Sequence, residues 1–344
     1  MRADTILIAI SRGLDVVERE VAGATSGHCT RIASICNSMG KLLGMGIYER
    51  ITLSASALLH DSALTEWIVL GEDMPEHCVK GQRNIDTLRL PTDASGLVLY
   101  HHERADGSGI MGLKNIPMGA EIISIADSYD LGKPLDGFTP RLIAALHTQT
   151  PGEVMPEWHI TGRDAMELGK MVARTIDYKS KFTRRHTIGI AEKAERMAYF
   201  YKYELEEMAK LYLAACLHDL GKLATPTEIL EKPGRLTDEE FITIKNHVKD
   251  TYDMLEGVDP DIRKWASCHH ERLDGRGYPF GYGKDALDFN ARLMTCIDIY
   301  QAVSEERPYH PARSHEETIK ILCDMAIGGA VDINIVRDLD VALG

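Results

Sequence analysis

Leu205-Glu-Glu-Met-Ala-Lys-Leu-Tyr-Leu-Ala-Ala-Cys-Leu217 is built almost wholly of good helix formers and runs without a break into His218-Asp219. An imidazole beside a carboxylate at the end of an apolar helix is costly unless both groups find partners. Residues 43–59 lead into His60-Asp61 in the same way. Outward from each pair, the same residue types recur in the same order. His186 precedes the second pair, and His247, His269-His270 and Asp298 follow it. His28 precedes the first pair, and His77, His101-His102 and Asp127 follow it. The step from the lone histidine to the pair is 32 residues in both, from 28 to 60 and from 186 to 218. Fixed-order self-similarity marks a repeated structural unit. The expected fold is therefore all-α: two tandem helical-bundle domains, residues 1–160 and 181–344, joined by a linker helix over 161–180.

The pattern between the motifs agrees with helices. Thr237-Asp-Glu-Glu240 is a capping box that opens a helix. Phe241, Ile244, Val248 and Leu255 then form an apolar stripe at helical spacing, with His247 beside it and able to point inward. Lys232-Pro-Gly234 and Asp274-Gly-Arg-Gly-Tyr-Pro279 read as loops, and residues 163–178 as a helix. No alternating strand pattern stands out.

Length and composition narrow the classes. A chain of 344 residues has room for about two domains with their own cores. No apolar run approaches the roughly 20 residues needed to cross a bilayer, and Ile6-Leu7-Ile8-Ala9-Ile10 is too short for a signal peptide. A cytoplasmic protein is expected. The seven cysteines (29, 36, 78, 216, 268, 296 and 323) contain no CxxC pair and are read as buried, reduced thiols. A net charge of −13 argues against binding to a nucleic-acid polymer, though a local cluster of cations or metals can still hold a small phosphate substrate. Five histidines and two aspartates per copy suffice for two divalent ions sharing a bridging carboxylate.

His218-Asp-Leu-Gly-Lys222, then Pro226 to Glu240, then His269-His-Glu-Arg-Leu-Asp-Gly-Arg-Gly-Tyr-Pro279 is similar to the HD-GYP family, the bacterial cyclic-dinucleotide phosphodiesterases of the HD metal-hydrolase superfamily. The resemblance covers residues 178–344 and includes Phe182-Thr183 and Arg307-Pro-Tyr309. It implies that His186, His218, Asp219 and Asp298 hold one ion, iron or manganese. Asp219 then bridges to a second ion held by His247, His269 and His270. Some members hold a third ion with a glutamate four residues before the first histidine. Phe182 stands there, so two ions are expected.

The implied reaction is in-line attack of an activated water on a phosphodiester, releasing the ribose 3′-oxygen, with metals polarising the phosphoryl oxygens. His218, Asp219 and Lys222 are the expected catalytic group, Lys222 binding a non-bridging oxygen. Arg307 would hold the other phosphate or a guanine, with Tyr278, Gly277 and Pro279 against the dinucleotide. The Gly-Tyr-Pro turn also implies a docking surface for diguanylate-cyclase (GGDEF) domains, and a homodimer is left open. Two positions depart from the family: Gln301 where aspartate is usual, and His310 where a basic residue is usual. Both are expected to face the substrate. Cyclic di-GMP is the default and 3′,3′-cyclic GMP-AMP the competitor. A sensor or scaffold with degraded turnover, and a general nucleotide phosphohydrolase, are the readings from other classes.

The first copy keeps the ligand types His28, His60, Asp61, His77, His101, His102 and Asp127, a second metal site by type. It loses the rest: Leu64 takes the place of Lys222, Ile110-Met111 that of Tyr278-Pro279, and Asp136 that of Arg307. Only Asp130 keeps an aspartate where the second copy has Gln301. Three roles remain open for it: a structural or regulatory pseudo-domain, a hydrolase for another substrate, or a ligand sensor.

Overall fold

The computed structural model describes residues 1–71, 73–180, 185–232, 234–306 and 311–344. Phe182, Arg307 and His310 lie outside the described residues, and the expectations attached to them go with them. The chain is 62% helix, and the described residues contain no strand. It divides into two units, Arg2–Ile160 and Thr161–Gly344. No helix among the described residues is long and apolar enough to cross a membrane.

The N-terminal unit consists of α1 (Ala3–Ala22), α2 (His28–Leu42), α3 (Ile47–Leu58), α4 (Leu64–Leu70), α5 (Met74–Asp86), α6 (Met118–Asp130) and α7 (Pro140–Thr148). On α1, Ile6, Leu7, Ile10, Leu14 and Val17 are buried, the one-sided stripe of an amphipathic helix. α2 packs on both α3 and α6 and so brings His28 to the centre. Residues 43–46 do not extend α3 as the sequence suggested. They form a turn with Gly44 at φ 82°, a conformation glycine takes without steric cost.

The C-terminal unit consists of α8 (Gly162–Asp177), α9 (His186–Phe200), α10 (Leu205–Leu217), a 3₁₀ turn (Leu220–Ala224), α11 (Thr227–Leu230), α12 (Asp238–Met254), α13 (Pro260–Ser267), α14 (Phe289–Ser304), α15 (His315–Ile327) and α16 (Ile333–Leu343). α8, expected to be a linker, packs along α10 as a helix of this bundle. Gly169 lies in this contact: a Cβ there would be 3.0 Å from Cys216 Sγ, so a side chain would press on α10. Leu211, Leu213 and Leu217 of α10 are fully buried, and truncating one such leucine costs about 2–5 kcal/mol.

The capping box at Thr237 and Glu240 forms as expected. The stripe on α12 is narrower than its sequence suggests. Val248 and Leu255 are fully buried, but Phe241 is exposed, its ring under the Lys245 ammonium at 4.6 Å. His247 does point inward and is buried.

Candidate metal centre

In the C-terminal unit five elements each deliver ligands to one point. His186 opens α9, and His218-Asp219 stand where α10 gives way to the 3₁₀ turn. His247 sits on α12, His269-His270 follow α13, and Asp298 sits on α14. All are buried except His270, which is partly exposed. Asp219 lies between the histidines. Its Oδ2 is 3.1 Å from His218 Nε2 and 4.0 Å from His186 Nε2, and its Oδ1 is 3.2 Å from His247 Nε2. Asp298 Oδ1 is 3.4 Å from His186 Nε2, and its Oδ2 is 3.7 Å from His270 Nδ1. The seven sequence-predicted ligands thus come together as two groups, His186/His218/Asp298 and His247/His269/His270, with Asp219 between them.

The hydrogen bonds of the far ring nitrogens suit these groups to metal binding. His218 Nδ1 donates to Ala215 O at 2.7 Å, His247 Nδ1 to Ile244 O at 2.5 Å, and His269 Nδ1 to Ala266 O at 2.7 Å. A carbonyl can only accept, so each Nδ1 carries a proton, and in the neutral ring each Nε2 then keeps a lone pair aimed inward. His247 Nε2 and His269 Nε2 face each other at 3.4 Å, and His218 Nε2 is buried with no hydrogen-bond partner. Facing lone pairs beside two buried carboxylates fit divalent ions. Burial opposes ionisation of Asp219, but the neighbouring His218 and the Lys222 ammonium overcome it and hold the carboxyl well below its usual range. Burial and the neighbouring His270 and His218 keep His269 neutral, far below an ordinary imidazole.

Two glycines are there for close approach. A Cβ on Gly221 would lie 2.0 Å from His247 O, so the 3₁₀ turn could not pack on α12 with any other residue. Its amide donates to Thr251 Oγ1 at 2.9 Å, and that hydroxyl donates to His218 O at 3.0 Å. A Cβ on Gly277, expected to touch substrate, would lie 2.5 Å from the Cα of Glu271. This glycine folds the Gly-Tyr-Pro loop back onto Glu271. The Glu271 carboxylate then accepts from Phe280 N at 2.7 Å and Tyr282 N at 2.9 Å. The loop places the Tyr278 ring 4.8 Å from that of His270, with Lys245 Nζ 4.9 Å from its centroid. Lys222 pairs with Asp219 Oδ2, directly at the centre.

Gln301 is held differently from the expectation. Its amide nitrogen donates to Glu305 Oε2 at 2.8 Å, and its oxygen accepts from Lys193 Nζ at 2.5 Å. Glu305 Oε1 in turn takes His186 Nδ1 at 2.9 Å. Gln301 therefore stands behind a ligand. It also lines a cavity of about 690 Å³ with Arg174, Arg185 and Lys193. Burial lowers His186, but hydrogen bonds to Asp298 and Glu305 outweigh it and raise the ring to about 9.

The N-terminal unit assembles its own set from elements in the same order. His28 Nε2 is 3.2 Å from Asp127 Oδ1, and His28 Nδ1 is 2.6 Å from Asp130 Oδ2. Asp61 Oδ1 is 3.3 Å from His101 Nε2 and 3.5 Å from His77 Nε2, and His60 Nε2 is 3.6 Å from Asp61 Oδ2. His102 Nε2 is 3.2 Å from His77 Nε2. Glu103 repeats the role of Glu271, accepting from Met111 N at 2.6 Å and Leu113 N at 2.8 Å. The register shifts by one because Pro279 has no N–H to give. Leu64 is buried and offers nothing to a phosphate.

Sequence reading missed several residues here. Glu18 is buried 3.5 Å from His28 Nε2, and burial with the Asp61 charge nearby raises it to about 8. Cys78, read as a plain core thiol, has Sγ 3.4 Å from His77 Nε2. Glu305 and the helix-capping Asp15 and Asp177 carried no motif. A spacing of two helical turns beyond Asp298 could have drawn attention to Glu305 alone.

Comparison with known proteins follows this division. Residues 170–335 match the HD domain family. The chain is 28% identical to 3′3′-cGAMP-specific phosphodiesterase 1 of Vibrio cholerae, over 95% of this chain and 88% of that protein. It is 32% identical to cyclic di-GMP phosphodiesterase PA4108 of Pseudomonas aeruginosa, over 48% of this chain and 40% of that one. The crystal structure of a cyclic GMP-AMP specific phosphodiesterase of V. cholerae, V-cGAP3, superposes with a TM-score of 0.64 at 19% identity, covering 100% of this chain and 98% of that one, which shows a shared fold. The segment that carries His186 to Asp298 thus lies within the match to the HD domain family.

Proposed function

We propose that the C-terminal unit is a metal-dependent phosphodiesterase that opens a cyclic dinucleotide to its linear form. One observation carries the reading: seven His and Asp side chains, all but His270 buried, converge beside a lysine paired with Asp219. We assign His186, His218, Asp219 and Asp298 to one ion and Asp219, His247, His269 and His270 to a second, iron or manganese as the resemblance to HD-GYP proteins implies. Such ions supply Lewis acidity to the phosphoryl oxygens and the means to ionise water at neutral pH. The chain does the rest. Lys222, already at Asp219, binds a non-bridging phosphate oxygen and neutralises the charge that develops in the transition state. Tyr278, beside His270 at the partly exposed edge of the centre, presents its ring to a base. Water adds to phosphorus, the bond to the ribose 3′-oxygen breaks, and that oxygen leaves with a proton.

Both candidate substrates fit this chemistry. The relative that matches along most of the chain is named for 3′,3′-cyclic GMP-AMP, and one that matches the C-terminal part is named for cyclic di-GMP. Gln301, behind His186 and lining the adjoining cavity, acts on ligand geometry as much as on base choice. The outer edge of the Gly-Tyr-Pro loop, where Phe280 stacks on Tyr282, is the surface we assign to a GGDEF partner.

The test is turnover by the purified full chain loaded with Fe(II) or Mn(II), offered both dinucleotides, with products separated by chromatography. A linear dinucleotide is expected. Inorganic phosphate from mononucleotides, with no opening of either ring, would place the protein with general phosphohydrolases instead.

A further inference from the structure

The N-terminal unit holds a donor group that its counterpart lacks. In the C-terminal unit the residue after His247 is Val248, fully buried against the core. In the N-terminal unit the residue after His77 is Cys78, equally buried, and its sulfur turns to the metal ligands. One donor atom each of His77, Cys78, His101 and His102 lie within 4.8 Å of one another. His77 Nδ1 is bonded to Met74 O, and His101 Nδ1 donates to Val98 O at 2.6 Å, so in the neutral rings both Nε2 lone pairs point inward. His101 Nε2 is buried without a hydrogen-bond partner, and so is Asp61 Oδ1 beside it.

We propose that His77, Cys78, His101 and His102 form a closed four-donor metal site, and that it takes a thiophilic divalent ion, Zn(II) first. The spacing suits a tetrahedral ion. Ordinary zinc bond lengths put donor nitrogens about 3.4 Å apart and nitrogen about 3.6 Å from sulfur. The observed separations are 3.2 Å for His77 Nε2 to His102 Nε2 and 3.4 Å for His77 Nε2 to Cys78 Sγ. The thiolate is what separates this site from the all-imidazole group of the C-terminal unit, because sulfur shifts preference toward softer ions. Four protein donors leave no position for water or substrate, which is the pattern of a structural rather than a catalytic ion. That accounts for an N-terminal unit that keeps its ligands while Leu64 stands where a phosphate-binding lysine would be.

The experiment is Co(II) substitution of the full chain, read by its near-ultraviolet thiolate-to-cobalt absorption, together with zinc-edge X-ray absorption of the zinc-loaded protein. The absorption band is expected in the wild type, retained in His218→Ala, and lost in Cys78→Val with bound metal falling by one ion per chain. Should Cys78→Val not fold, the wild-type zinc spectrum decides alone: a sulfur scatterer at about 2.3 Å supports the site. A shell of nitrogen and oxygen only, or a cobalt band that survives Cys78→Val, overturns it. This inference stands apart from the phosphodiesterase reading, since neither measurement involves turnover.

Discussion

The partner on the far nitrogen decides how firmly a histidine holds a metal, because that bond fixes both tautomer and ring orientation. In the N-terminal unit Asp130 serves His28 in this way, and Arg31 pins the carboxylate with bonds of 2.6 and 2.7 Å. At the matching position of the C-terminal unit, three residues past Asp298, stands Gln301. Glu305, one helical turn further, reaches back to His186 Nδ1 in its place, and Gln301 steadies it. An aspartate has moved into a glutamate one turn on. Outer partners of this kind are worth roughly 10–100-fold in metal affinity. Glu305→Ala should weaken metal binding by about that factor, and Gln301→Asp in the Glu305→Ala background should recover most of it. A competition titration against a chelating dye reads both. Unchanged affinity in Glu305→Ala would remove Glu305 from the role.

At the scale of elements, each unit fixes the start of its first ligand helix with a carboxylate from the preceding helix. Asp15 of α1 accepts from Gly27 N at 2.8 Å and Cys29 N at 2.9 Å, and Asp177 of α8 accepts from Thr187 N at 3.1 Å. Burial dominates at Asp177 and lifts its carboxyl to about 6, the amide bonds only partly offsetting it. A carboxyl whose folded pKa is raised binds more protons folded than unfolded, so its contribution to stability falls as pH rises through the window between the two values. Wild type should therefore lose stability relative to Asp177→Asn between about pH 4 and 6, by up to about 3 kcal/mol. Urea unfolding of the chelated protein across that range tests it, and a flat difference would sink the burial argument. These caps were illegible in the sequence because they join residues by packing, with no fixed spacing. The candidate ligands were legible because the same residue types recur in the same order in both units, with the His-Asp pair of the C-terminal unit at the end of an apolar helix. Compensation between elements is likewise tertiary. The glycine that admits the 3₁₀ turn to α12 is Gly221, whereas the N-terminal unit has Ala63 there and Gly81 on α5, whose Cβ would lie 3.3 Å from His60 O.

For the whole molecule, the two centres look alike in ligand type and differ in what surrounds them. The C-terminal centre has a lysine on Asp219 and a partly exposed His270 beside Tyr278, and Gln301, behind His186, lines a cavity. The N-terminal centre has Leu64, Ile110 and Met111 in the corresponding positions, and a thiol closing its second group of donors. Metal binding without a phosphate grip or an open coordination position supports folding and not turnover. A division of labour follows. His218→Ala with Asp219→Ala should abolish dinucleotide opening and lower the bound metal. His60→Ala with Asp61→Ala should also lower bound metal but leave turnover within about twofold, as expected for changes in a separate folding unit. Both variants are compared by metal content, circular dichroism and product chromatography on the same preparations. If the second variant is folded, keeps its C-terminal metal and still opens no dinucleotide, the N-terminal centre takes part in the reaction and the closed-site argument fails with it.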